Sequence, residues 1–246
     1  MKGDSTVRFY FDTEFTGLQK YTDLISIGIF AESGNFFYAE FTDYDKDKCN
    51  DWINENVIKN LLLTDVPEVA HLDMARKDML VKGDKNRVKA SLIMWLGNLA
   101  NGENWEFVSD VCHYDMVLLI DLLSGGGTAF DCPKAFSPVC VDINSRIARK
   151  FKISEYKAFD TSRERALDVI LKKEYPEVYA RYDAIGEYEI NKHNALFDAL
   201  VIRELNKVVG DGAFEPCLPV DAYKHVKRLI DSMIISWKME DNSDVE

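Results

Sequence analysis

Between Val7 and Phe41 the chain passes through three short runs of aromatic and aliphatic residues, separated by turn signals. Val7-Arg8-Phe9-Tyr10-Phe11 is the first, Leu24-Ile25-Ser26-Ile27-Gly28-Ile29-Phe30 the second and Phe36-Phe37-Tyr38-Ala39-Glu40-Phe41 the third. Runs this short, rich in aromatic and β-branched side chains, read as strands and not as helices. Ser33-Gly34-Asn35, between the second and third, is a hairpin signal. The chain therefore opens with a three-strand meander whose first strand is largely buried.

Helical spacing takes over beyond it. Asn50 is placed to cap a helix running through Trp52, Ile53, Val57 and Ile58. From Lys85 to Leu99, the apolar positions Val88, Leu92, Trp95, Leu96 and Leu99 recur at the helical period. Trp105-Glu106-Phe107-Val108-Ser109 reads as a fourth strand, and Tyr114 to Leu123 as a helix ended by Gly125-Gly126-Gly127. Pro138-Val139-Cys140-Val141 is a candidate fifth strand. Helices are expected over 142–150, 162–173, 193–209 and 222–237, the last followed by an acidic tail from Glu240. A meander followed by strands alternating with helices implies a mixed α/β fold. One domain is expected over 1–246, with its core at about 7–209 and the last helix and tail from about 211.

Composition narrows the classes. With 47% hydrophobic, 29% charged and 12% aromatic residues, the chain has a sizeable core and is not disordered. No apolar run approaches the roughly 18–20 residues of a membrane span, and no signal-like apolar region follows Met1, so a cytoplasmic protein is expected. The five cysteines form no C-x-x-C pair, which favours free thiols. A net charge of −12 argues against coating nucleic acid by bulk charge. Local binding stays open, because nine Lys and Arg face four acids between Arg146 and Lys173, with Tyr156 and Phe159 available for stacking.

Three places carry candidate chemistry. Asp12 and Glu14 lie two residues apart at the end of the first strand, so their side chains share a face. Two carboxylates crowded at the edge of a core repel each other, and a divalent cation such as Mg²⁺ or Mn²⁺ relieves that cost. Asp115 follows the fourth strand on the first turn of a helix, with Asp110 as a rival acid at the strand end. Downstream, Asp198 falls early in a helix, where a carboxylate suits the positive end of the dipole. His193 precedes that helix and is a candidate general base, with His113 as the rival.

D-T-E-F-T-G-L, then S-D-x-x-x-Y-D-x-x-x-L, then H-x-x-x-x-D resembles the three motifs of the DEDDh 3′→5′ exonucleases. This is the ribonuclease T and proofreading-subunit superfamily. The resemblance covers about residues 7–209 and departs from the common pattern at Asp110-Val111, where a His-Asn pair is frequent. It implies an RNase H-like fold, with a five-stranded mixed sheet that starts with the meander and is flanked by helices. It implies two divalent cations, Mg²⁺ or Mn²⁺, held by Asp12, Glu14, Asp115 and Asp198, with His193 as general base. The implied substrate is single-stranded RNA or DNA with a free 3′ end, degraded to nucleoside 5′-monophosphates. Thr13, Phe15, Thr16, Gly17 and Leu18 would meet the terminal nucleotide, through backbone N–H groups, stacking by Phe15 and a wedge by Leu18.

Two other classes compete: a catalytically silent nucleic-acid-binding module on the same fold, and an RNase H-like endonuclease. The apolar stripe Val226, Ile230, Met233, Ile234 and Trp237 is expected to pack on the core or on a second subunit of a homodimer.

Overall fold

A computed structural model describes residues 5–179, 192–210 and 219–243. Strands β1 (Thr6–Phe15), β2 (Leu24–Ala31) and β3 (Phe36–Phe41) form the expected antiparallel meander. Helix α1 (Asp51–Asn56) precedes an antiparallel pair, β4 (Val69–Leu72) and β5 (Met79–Gly83). Then come α2 (Lys85–Ala100), β6 (Asn104–Ser109), α3 (Cys112–Ser124) and β7 (Phe136–Asp142). Helices α4 (Ile143–Phe151), α5 (Glu155–Phe159), α6 (Arg163–Glu174) and the one-turn α7 (Pro176–Tyr179) follow. Helices α8 (Ala195–Val209) and α9 (Pro219–Ser243) complete the described chain. Cys217, the side chain of Trp237 and those of the acidic tail lie outside the described residues.

The sheet has seven strands where five were expected, in the order β4-β5-β3-β2-β1-β6-β7. The two additional strands extend it beyond β3, with β5 parallel to β3. They are short, and Met79-Leu80-Val81 is too brief a run to announce itself before the Asp84 cap of α2. The buried carboxylate of Glu40 on β3 ties down the segment that leads there. Its Oε1 accepts the N–H groups of Leu62 and Leu63 and the hydroxyl of Tyr38.

Alternation along β1 sorts the two faces of the sheet. Phe9 and Phe11 pack with Ile27, Ile29 and the buried stripe of α2 that includes Val88, Leu92 and Trp95. Tyr10 faces the opposite way, among residues of α4, α6 and α8. Asp12 and Glu14 share the parity of Tyr10 and so face α8. Val226, Ile230 and Met233 of α9 pack on Phe30, Phe36 and Tyr38, alongside α8. The described part of the stripe therefore covers this chain's own core. Among the described residues, no helix is long and apolar enough to cross a membrane.

Strand β1 outlasts its parallel neighbour. It pairs with β6 only from Thr6 to Tyr10, while its pairing with β2 continues to Phe15. The carboxylates thus lie within a strand that is longer than expected, where β6 has already given way to α3. A crevice beyond the carboxyl ends of parallel strands is the usual ligand position in an open α/β sheet.

On the other side of β1, Gly28 of β2 stands opposite Asp12 in the ladder. A Cβ at Gly28 would lie 2.3 Å from the backbone nitrogen of Leu196 and 2.4 Å from the carbonyl of Ala195. The first turn of α8 therefore rests directly on strand backbone, and a methyl group there requires helix or strand to move. Overpacking of this kind typically destabilises by about 1–3 kcal/mol. Gly28→Ala is expected to lower the melting temperature by several degrees and to reduce activity together with it. A melt and an activity assay that both match the wild type would contradict this contact.

Candidate active site

Three chain segments bring carboxylates to one cleft of about 720 Å³. Strand β1 supplies Asp12 and Glu14, the β6–α3 turn and the first turn of α3 supply Asp110 and Asp115, and the first turn of α8 supplies Asp198. Asp12, Asp110 and Asp115 offer oxygens within 4.8 Å of one another. Glu14, Asp198 and a ring nitrogen of His193 form a second set within the same limit.

Asp115 is 2% exposed and firmly oriented. The Thr13 hydroxyl donates to its Oδ1 at 2.5 Å, and the Ser109 hydroxyl donates to its Oδ2 at 2.5 Å. Asp110 was expected to be a rival of Asp115, yet the two acids occupy the same cluster. One oxygen of Asp110 lies 3.5 Å from Nε of Arg163. The other, Oδ1, is buried without a hydrogen-bond partner among the described residues.

The structure sets a ring nitrogen of His193, the candidate general base, beside the carboxylates of Glu14 and Asp198. Its backbone is in the left-handed region, with φ 61°, a conformation that costs a non-glycine residue about 1–3 kcal/mol. Its neighbours hold it there. Asn194 caps α8 by accepting the N–H of Phe197, also accepts the Tyr223 hydroxyl, and donates to the carbonyl of Asn60. Asn60 in turn donates to the carbonyl of Lys192. The imidazole meets the edge of Trp52 at 4.9 Å.

The loop after Glu14 is closed largely on itself. The Thr16 N–H donates to the carbonyl of Asp23, and the Gly17 N–H donates to the Thr22 hydroxyl. Those two backbone groups, expected to meet a nucleotide, are engaged within the loop here. Phe15 stacks on Tyr114 with centroids 5.8 Å apart, and Leu18 projects outward at 71% exposure. Both line the cleft, as do Thr13, Thr16 and Gly17.

In the sequence, Trp52 reads only as a helical residue and Arg163 as one of a run of basic residues. No local pattern marks either one, because each reaches the cleft only through the packing of its helix. The basic run is not one continuous free surface. Lys150 pairs with Glu174 at 2.6 Å, and Arg146 bonds to Asn206.

Crowding raises the proton affinity of the whole cluster. Burial, followed by the charges of Asp115, Asp198 and Glu14, holds Asp12 well above the usual carboxylate range. Burial, with Asp115 and Asp110 adding, pushes Glu14 up to about 8. Asp115 rises to about 7, through burial and then Asp110, although the two hydroxyl bonds oppose the rise. Asp198 is raised by burial and then by Glu14, against a backbone hydrogen bond from His193. Five carboxylates with one oxygen orphaned are a donor set suited to hard divalent cations, which prefer oxygen ligands. The residues present therefore fit the ions that the motifs imply.

A raised carboxyl pKa has a definite sign for stability. The contribution is fully present below the unfolded value of about 4 and is lost as pH rises through the folded value. In EDTA, the melting temperature is therefore expected to fall between about pH 5 and pH 8.5, and Mn²⁺ should recover much of the loss at the upper end. Asp198→Asn should flatten the fall. Thermal melts across that range check it, and a metal-free melt independent of pH would contradict it.

No protein-family model matches the chain. Over 55 residues it is 36% identical to a 3′-5′ exoribonuclease of Mycobacterium tuberculosis strain CDC 1551 / Oshkosh. The match to the 3′-5′ exoribonuclease of strain ATCC 25618 / H37Rv is the same in length and identity. Each match takes in 22% of this chain and 33% of the relative, so the chain spans about a third of the length of these curated relatives.

Proposed function

We propose that the protein is a divalent-metal-dependent 3′→5′ exonuclease of the DEDDh type. It removes nucleoside 5′-monophosphates from single-stranded nucleic acid with a free 3′ end. The observation that carries this reading is the convergence of Asp12, Glu14, Asp115, Asp198 and His193 from three distant segments on one cleft. The partial likeness to exoribonucleases supports it and makes RNA the first substrate to test, with DNA as the comparison. The RNase H-like fold implied by the motifs is supported by the meander β1–β3 continuing into parallel β6 and β7, with β4 and β5 as an extension.

Asp12, Glu14, Asp115 and Asp198 would hold two divalent cations, Mg²⁺ or Mn²⁺, with Asp110 close enough to join them. When bound, such ions offset the carboxylate repulsion and the charge that develops on phosphoryl oxygens. The chain's own residues do the rest. Thr13 and Ser109 fix the Asp115 carboxylate through their hydroxyls, so its orientation is set before substrate arrives. His193 accepts a proton from the attacking water at the ring nitrogen that faces Glu14 and Asp198. The water oxygen bonds to phosphorus, the P–O3′ bond breaks, and the leaving O3′ takes a proton from solvent, so the shortened strand ends in a 3′-hydroxyl. Phe15, backed by Tyr114, and the exposed Leu18 flank the terminal base, a contact indifferent to base identity.

Incubation of linear and circular single-stranded RNA and DNA with Mn²⁺ tests the reading. Mononucleotides from a linear strand and an intact circle are expected, and a cut circle would indicate an endonuclease. Asp12→Ala should abolish release while the apo protein stays folded, because removal of one acid relieves repulsion. Paired variants Asp110→Asn and Asp115→Asn rank the two neighbouring acids, and the larger loss is expected at Asp115.

His193→Ala is expected to lower kcat by about 10²–10⁴-fold, the usual worth of general-base assistance, with KM nearly unchanged. Calorimetric titration with Mn²⁺ separates a base from a ligand. Metal affinity close to wild type fits the base, and its collapse would make His193 a ligand.

A further inference from the structure

Five carboxylates at one point repel an anionic substrate as strongly as they attract cations, so the position of any fixed positive charge matters. Lys48, Arg163 and Lys192 line the cleft. Lys48 is engaged with Asp23 at 2.8 Å and with the carbonyl of Tyr21 at 3.0 Å. Among the described residues, Arg163, the first residue of α6, is the cation paired with a member of the acid cluster.

Three elements hold its guanidinium in place. Asn144 of α4 accepts from Nη1 at 2.5 Å, and the carbonyl of Phe159 in α5 accepts from Nη2 at 2.9 Å. Asn144 is itself buried and donates to the backbone carbonyl of Asp110, which links the arginine's support to the end of β6. The third partner, the carboxylate of Asp110, lies at 3.5 Å from Nε, an ion pair longer than a good hydrogen bond. A guanidinium has five N–H groups in a planar fork. One is directed at Asn144, one at the carbonyl of Phe159 and a third at Asp110, so two N–H groups remain on a residue that lines the cleft. Planar forks match phosphate oxygens, and a charge already oriented loses little freedom on binding.

We propose that Arg163 is a phosphate-binding residue of this cleft. Its guanidinium takes a non-bridging oxygen of the scissile phosphodiester and keeps the same phosphate in the 5′-mononucleotide product. An incoming phosphate replaces Asp110 as the arginine's anionic partner, and Asp110, whose oxygen lies within 4.8 Å of those of Asp12 and Asp115, would then share with them a divalent cation that offsets their repulsion. The inference rests on the exonuclease reading and deepens it, because it names the group that discriminates an anionic linkage from a neutral one.

Binding of adenosine 5′-monophosphate and of adenosine, measured by calorimetry with Mn²⁺ present, tests it without turnover. The wild type should bind the nucleotide more tightly than the nucleoside. Arg163→Ala should narrow that ratio by about ten- to a hundredfold, the usual span for a charge-assisted contact. Arg163→Lys, which keeps the charge and loses the fork, should fall between the two. If Arg163→Ala melts early, Arg163→Gln is read in the same way, since it keeps an N–H donor for Asn144 without the charge. A wild-type ratio in the uncharged variants would overturn the proposal, including where kcat falls, because the arginine would then be a prop for Asp110. A wild type that shortens neither RNA nor DNA and does not bind the nucleotide would remove the exonuclease reading itself. A wild type that does both, beside an Arg163→Ala protein with an unchanged ratio, removes this inference alone.

Discussion

The cleft exists because a helix lies directly on strand backbone at Gly28. Opposite that glycine in the ladder stands Asp12, and above it sit Ala195 and Leu196, the first residues of α8. Any side chain at position 28 would lift the helix and carry Asp198 away from Glu14. Helix propensity and strand pairing alone would leave this distance undetermined, and steric permission at one residue fixes it. The 16-residue α2 and the aromatic packing around Phe9, Phe11 and Trp95 build the opposite face, so the sheet has no room to yield from behind.

Packing α8 so closely has an electrostatic consequence. It presses carboxylates together where burial already disfavours their charge, and the metal-free fold is destabilised locally as a result. The compensation lies elsewhere. Asn194 anchors the start of α8 to Asn60 and Tyr223, and the buried faces of α8 and α9 close over Phe30, Phe36 and Tyr38. The left-handed backbone of His193 is held by this anchorage. Stored strain and like-charge crowding at one place, supported by a satisfied network behind it, is the pattern of a site selected for binding and not for stability.

Much of this was legible in the sequence, and the reason is local. The meander declared itself through the β-like runs and the Ser33-Gly34-Asn35 turn. Asn50, the cap expected from the sequence, caps the helix that begins after it. Asp12, Glu14, Asp115, Asp198 and His193 each stand out because a motif fixes position at a strand end or helix start, and the structure brings them to one cleft. What sequence reasoning missed depends on long-range packing. Strands β4 and β5 are brief and take their place from Glu40 and β3. Asp110 was visible only as a rival, because pairwise choice between neighbouring acids ignores that a turn can direct both to one point. Arg163 lay inside a run of basic residues that resembles any solvated helix face, and its support from Asn144 and Phe159 exists only once α4, α5 and α6 have packed.

The segment between α3 and α8 carries none of the motifs, yet it supplies the wall that faces the carboxylates. Helices α4 and α6 bury Ile143, Ile147, Leu167, Ile170 and Leu171 with Tyr10 and Val108 of the sheet and Ile202 and Leu205 of α8. That packing is apolar and indifferent to chemistry, but it delivers the start of α6 to the cleft rim with Arg163 inward and Phe159 beside it. A chain of net charge −12 cannot draw an anionic strand by its overall field. On the proposed exonuclease reading, attraction must therefore be local, and it must act within the roughly 8–10 Å over which charges are felt in physiological salt. An oriented guanidinium at the rim, cations that the carboxylates are suited to hold, and aromatic faces at Phe15 and Tyr114 satisfy that condition without changing the acidic character of the remaining surface.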